Sequence, residues 1–149
     1  MFDSSEIPGE IVDVLVVRTE DLQKSVNMGK TLTAIWYEVM GKLQKGDSEV
    51  LSIMAQESGL SMEDFKQQMQ ATTFYYTPEV ALKETRSRGF KKVMSKVTQF
   101  WSMQKKRLQS QNRQSVGILF PDGATLGNRR NIKLRINSRF MKLAKEKKL

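Results

Sequence analysis

The sequence predicts a helix-rich α/β chain, and three observations carry that expectation. A β-branched run, Ile11-Val12 and then Val14–Val17, stands directly before capped amphipathic patterns. Apolar residues then recur at helical spacing through most of the chain. After Ser115 the pattern changes to short alternating stretches around the turn Pro121-Asp122-Gly123. Alternation with period two marks half-buried strands, and period 3.6 marks amphipathic helices.

The elements follow in order. Ile11–Val17 reads as a buried strand, because branched side chains suit a pleated surface. Thr19, with Glu20 and Asp21 behind it, is expected to cap a short helix, since an oxygen and two carboxylates suit the free N–H groups there. Asn27 is expected to cap a longer helix whose apolar face is Met28, Leu32, Ile35, Trp36, Val39, Met40 and Leu43. Lys45-Gly46-Asp47 breaks it. Asp47 or Ser48 starts a helix to about Ser58, with Val50, Leu51, Met54 and Ala55 inward and Gly59 closing it. Ser61 starts another, with Asp64 as capping partner and Phe65 and Met69 inward.

Ala71–Tyr76 is β-prone, and Thr77-Pro78-Glu79 is a strong helix start. Phe90 to about Ser110 is the longest expected helix, with Phe90, Val93, Met94, Val97, Phe100, Trp101 and Leu108 along one side. Gln109–Gln114 reads as a polar linker. Ser115–Phe120 and Asn131–Ile136 read as strands, the second alternating Ile132, Leu134 and Ile136 with Lys133 and Arg135. A short basic helix, about Ser138–Lys145, ends the sequence.

Composition narrows the function. With 149 residues, the chain is long enough for one ordinary core. It has no cysteine and no histidine, so disulfides, thiol chemistry and the usual neutral-pH base are absent. No catalytic residue, cofactor or metal ligand set emerges, and the expectation is a protein that is not an enzyme. The longest aliphatic run, Val14–Val17, is far short of the ~20 residues of a membrane-spanning helix. No secretory signal pattern stands near Met1.

Charge is divided unevenly. Residues 1–85 hold seven Lys/Arg and fourteen Asp/Glu, a net of −7, and residues 86–149 hold eighteen Lys/Arg and two acids, a net of +16. Their sum is the +9 of the whole chain. Such a division points to an anionic partner or to two faces of one domain attracting each other. The basic half also contains Phe90, Phe100, Trp101, Phe120 and Phe140, but these fall on apolar faces, out of phase with the lysines. No helix-turn-helix, zinc-finger, RRM or KH signature is present, which disfavours a nucleic-acid partner.

Other motifs weigh little. Gly29-Lys30-Thr31 looks like the end of a phosphate-binding loop, but Lys24 stands where that loop needs a glycine. A tightly packed helix start is the expected role. Glu6, Glu10 and Asp13 lack the further ligands a hard cation needs. The clusters Trp36-Tyr37, Phe74-Tyr75-Tyr76 and Phe100-Trp101 are expected in the core.

Blocks of the chain, in order, resemble the C-terminal part of the periplasmic substrate-binding proteins of nitrate/taurine-type ABC transporters. The likeness is to the subgroup associated with urea uptake and urea carboxylase. The blocks are Phe2–Ile11, Met28–Met40 with its Trp36-Tyr37-Glu38 trio, Val116–Gly123, Leu126-Gly127 and Asn131–Arg135. The resemblance implies a partial bilobal type II fold lacking its N-terminal half. Residues 1–18 would be the crossing strand, 19–110 a helical region, and 111–149 closing strands and a terminal helix. It further implies a periplasmic location, a small polar or anionic nitrogen- or sulfur-containing solute of urea-related kind, and two protein partners: the permease and the missing half. Ser4 and Ser5, whose hydroxyls suit such a solute, are the candidate ligand-binding residues. The alternative is a small basic helical module that binds nucleic acid or an acidic partner.

Overall fold

The computed structural model describes residues 12–107 and 116–149, and the side chains at 97 and 100–107 lie outside the description. Seven helices are described: α1 (Thr19–Lys24), α2 (Val26–Gln44), α3 (Ser48–Glu57), α4 (Met62–Gln70), α5 (Pro78–Thr85), α6 (Arg88–Arg107) and α7 (Arg139–Lys145). Three short strands, β1 (Gly117–Leu119), β2 (Thr125–Gly127) and β3 (Ile132–Arg135), stand between α6 and α7. The fold is therefore helix-rich α/β with a small mixed sheet. The chain divides into two compact units, Met1–Ala81 with Phe140–Leu149, and Leu82–Arg139.

In the first unit α2, α3 and α4 each begin where a side-chain oxygen meets an exposed N–H. Ser25 Oγ accepts from the Met28 amide at 3.3 Å, so the cap of α2 lies two residues before Asn27. Asp47 caps α3 by accepting from Glu49 and Val50, both at 3.1 Å. Ser61 accepts from the Asp64 amide at 3.1 Å and donates to its carboxylate at 2.6 Å. Each such cap stabilises its helix by ~1 kcal/mol. Gly59 ends the α3 segment with φ +67, and the Leu60 amide reaches back to the Ala55 carbonyl at 3.0 Å. A side chain at that φ would crowd its own carbonyl, so glycine is the residue that closes the turn.

The α1 cap differs from expectation. Thr19 is the first helical residue, and Arg18 stands at the cap with its guanidinium paired to Asp21 at 2.7 Å. The expected core is in place: Met40, Leu43, Leu51, Ala55 and Phe65 are buried, with Val50, Met54, Leu60, Met62, Met69, Phe74 and Tyr76 packed against them. Burying one such large side chain contributes ~1.5–3 kcal/mol.

Two strand expectations fail in this unit. Val12–Arg18 forms no strand, and Val14, Leu15 and Val16 are 54%, 50% and 67% exposed. Residues 71–76 likewise form no strand: Phe74 and Tyr76 stack at 5.3 Å along an irregular segment and pack against the helical core. Branched and aromatic residues favour a strand only where a neighbouring strand takes up the backbone hydrogen bonds. No strand is described in this unit.

The second unit opens with the remainder of α5 and continues into α6. Ser87 caps α6, accepting from the Phe90 amide at 2.9 Å, so the helix starts two residues before Phe90 and takes Gly89 inside it. The expected burial of Trp101 falls outside the described side chains, and the linker at 109–114 lies outside the described residues.

The sheet runs in the order β2-β1-β3, with β1 antiparallel to β2 and parallel to β3. The Pro121-Asp122-Gly123 turn produces the hairpin: the Gly123 amide donates to the Phe120 carbonyl, with Gly123 at φ +82. Beyond β2, residues 128–131 cross the start of β1, where the Gly117 amide donates to the Asn131 carbonyl at 2.8 Å. A Cβ at Gly117 would collide with the Asn128 carbonyl, so only glycine lets the backbone pass so closely. In β3 the expected alternation holds: Ile132 and Leu134 are half-buried, Lys133 and Arg135 exposed.

Candidate functional site

Ser4 and Ser5, with Glu6 and Glu10, lie outside the described residues, so the sequence-derived ligand loop has no described geometry. Asp13 is exposed, and among the described residues no group of three metal-ligating side chains gathers.

Gly29-Lys30-Thr31 does not form a phosphate cradle. Gly29 lies inside α2, buried under the ring of Phe140 from α7. The Lys30 ammonium donates to the Lys148 carbonyl at 3.0 Å, and the Thr33 hydroxyl to the Gly29 carbonyl at 2.8 Å. The expected close packing is real, but its partner is an aromatic ring and not a preceding strand.

The face of α2 is split. Met40 and Leu43 are buried, whereas Ile35, Trp36 and Val39 are 53%, 40% and 37% exposed. Trp36 is therefore a surface residue, contrary to its expected place in the core. Tyr37 beside it is half-buried, and its phenol is pushed up to about 12, first by burial and then by the negative charge of Glu79. At neutral pH it is an uncharged hydroxyl. A shallow depression lined by Met62, Glu63, Lys66, Gln67 and Gln70 runs along α4, and a single helix cannot enclose a ligand.

In the second unit the hairpin turn is fastened to α6. The Lys91 ammonium donates to Asp122 and stands 5.4 Å from the centroid of the Phe120 ring. Phe120 in turn meets Phe90 edge-to-face at 6.3 Å, and both rings are buried. Asp122 also accepts from the Ala124 amide at 3.1 Å. The Lys91 hydrogen bond, and after it that amide, hold the Asp122 carboxyl below its ordinary value. These contacts fix the sheet on α6 with Ile118 and Phe120 inward.

The outer surface of this unit is cationic. Arg129 and Arg130 in the crossing segment, and Lys133 and Arg135 on β3, are exposed, and none of the four pairs with a carboxylate among the described residues. Sequence reading found the charge but not its placement, because β2 and the crossing segment were not anticipated. The signal for β2 was the Pro-Asp-Gly turn itself, which calls for a second strand after it. Compared with family models, curated proteins and solved structures, the chain matches none.

Proposed function

We propose that this chain is part of the solute-binding component of an ABC transporter, a partial bilobal type II fold completed by a half not contained in it. One observation supports this above the others: a strand-forming segment, Val12–Val17, lies unpaired with three large apolar residues at least half exposed. A helix in the same unit leaves Ile35, Trp36 and Val39 uncovered. Soluble domains seldom leave such residues in contiguous groups unless another surface covers them. A strand with no sheet and a helix with a half-covered apolar face fit an α/β lobe whose remaining strands come from elsewhere.

In this reading the chain contributes no catalysis. It supplies scaffold, while the solute, of small polar or anionic urea-related kind, is held between two lobes that close on it. Ser4 and Ser5 remain its ligand candidates, the permease its membrane partner, and the periplasm its location.

The test has two arms. The DNA upstream of the first codon should encode, in frame or across a frameshift, the other half beside permease genes. The isolated chain should give no calorimetric signal with micromolar urea, nitrate or small sulfonates, because one lobe leaves a ligand half in water. The chain joined to that half should bind. Tight one-to-one binding by the 149 residues alone would overturn the reading.

A second reading, a basic module for nucleic acid or an acidic partner, is favoured by the exposed cations Arg129, Arg130, Lys133 and Arg135 of the second unit. Phe90 and Phe120 are buried against each other and unavailable for base stacking.

A further inference from the structure

We infer that the second unit carries an electrostatic docking face for an anionic phospholipid surface, formed by Arg129, Arg130, Lys133 and Arg135. Within Leu82–Arg139 the sequence holds fifteen Lys/Arg against two acids, Glu84 and Asp122. Both acids are already engaged: Glu84 accepts from the Ser87 hydroxyl at 3.0 Å, and Asp122 from Lys91. Neither carboxylate is bonded to any of the four cations, and two acids against fifteen bases leave the unit strongly positive.

Their placement is set by the fold. Lys133 and Arg135 alternate with half-buried Ile132 and Leu134, so β3 presents both to solvent. They stand ~6.6 Å apart, two residues at the ~3.3 Å rise of a strand. That spacing is inside the ~8 Å screening length at physiological salt, so the two charges act together on a surface. Gly117 and Gly127 hold the crossing segment tight across β1, and with it Arg129 and Arg130 at the end of the sheet where β3 begins. The backbone amide of Arg130 is tied to the Asn128 side chain at 2.9 Å, which fixes that turn.

The contact is superficial. Among the described residues no helix is long and apolar enough to cross a membrane, and Val116 is the large apolar residue exposed in this unit beyond α5. Basic clusters without inserted aromatics bind anionic headgroups by charge alone. The choice of a lipid surface over a nucleic acid rests on the transport reading, since a transporter component works against a bilayer.

The experiment is co-sedimentation of the full chain with vesicles of phosphatidylcholine, alone or with about one-third phosphatidylglycerol. Binding is expected to the anionic vesicles only, weakening as salt rises from low to about 0.15 M. Replacing all four cations (R129Q, R130Q, K133Q, R135Q) should weaken it roughly a hundredfold or more, given ~1 kcal/mol per basic residue near the surface. A charge-matched variant of the first unit (K142Q, K145Q, K147Q, K148Q) should bind within a few-fold of the parent.

A measurement on the unaltered chain needs no variant to fold: vesicles should protect Lys133 from acetylation and leave Lys142 labelled. Equal loss in the two variants would show diffuse attraction and overturn the proposal. So would an unprotected Lys133, absence of binding to anionic vesicles, or tighter binding to duplex DNA at equal phosphate. The assay involves neither solute nor permease, so a negative result here leaves the calorimetric test of the transport reading standing, and the reverse.

Discussion

Two glycines of α2 are expected to respond in opposite directions to the same substitution. A Cβ on Gly29 would stand 2.6 Å from both ε carbons of the Phe140 ring and nearer still to its tip. Non-bonded carbons rest at ~3.5–4.0 Å, so the ring must retreat by about an ångström. Gly29→Ala gains up to ~1 kcal/mol of helix propensity. Against this, forcing an extra carbon into a packed site typically costs ~1–3 kcal/mol, and full expulsion of the ring approaches the ~3–5 kcal/mol of a Phe→Ala change. The expected net is a loss of about 1–2 kcal/mol.

Gly41 lies on the same helix with nothing within 4 Å of a built Cβ. Gly41→Ala then has only the propensity term and should gain ~0.5–1 kcal/mol. Urea unfolding followed by circular dichroism reads both as midpoint shifts at unchanged slope. In a Phe140→Leu background, Gly29→Ala should lose most of its penalty, because its partner in the collision is smaller. Equal stabilisation by both alanines would refute the packing of α7 on α2.

Other outcomes follow from the same contacts. Leu43, 2% exposed in the helical core, should lose ~2–5 kcal/mol as Ala, seen as an early melt of the first unit. Asp122 is held below its ordinary value in the folded chain, so its contribution is present above the unfolded carboxylate range and disappears as pH falls through the folded one. Asp122→Asn should therefore flatten the acid limb of a stability-against-pH curve and leave the neutral limb nearly level. Tyr37, pushed up to about 12, works in the opposite direction. Between ~10 and about 12 the unfolded phenol ionises first, so stability falls as pH rises, by about 1 kcal/mol after allowance for its solvent access. Tyr37→Phe should remove that alkaline decline, together with a late-titrating component of the parent's tyrosinate absorbance.

Local signals fixed much of the fold. Asp47, Ser61 and Thr77 cap the helices the sequence assigns to them, and Gly59 ends α3, because a cap depends on neighbours within a few residues. The alternation of β3 was equally legible, since one face had to be buried whatever covered it. Failures came where the outcome depends on a distant partner. Val12–Val17 has every intrinsic mark of a strand, and none of those marks can supply the neighbouring backbone. Trp36 has the right phase for the core, but phase gives the direction of a side chain and not what stands opposite it. At α2 a nearer oxygen won, with Ser25 displacing Asn27 as the cap. Of the candidate site, the cationic surplus was legible and its concentration on β3 and the crossing segment was not, because β2 and the passage over Gly117 decide it.

Local consistency combined with non-local failure is itself informative about this chain. A sequence that folds alone has local preferences that agree with its tertiary contacts. Here they agree in the core around Leu43, Leu51 and Phe65, and in the sheet around Ile118 and Phe120. They conflict over Val12–Val17 and on one side of α2, where apolar residues selected for burial remain exposed. Exposing Val14, Leu15 and Val16 forgoes a large part of the ~1.5–3 kcal/mol that each would gain on full burial. Functional strain at a site would be an inadequate explanation, since these side chains carry no chemistry. A covering surface is the remaining physical account, and a strand-forming segment asks for a sheet edge in particular, because only backbone donors and acceptors satisfy its own. That requirement is independent of any family resemblance, and it is one that the second lobe proposed above would meet.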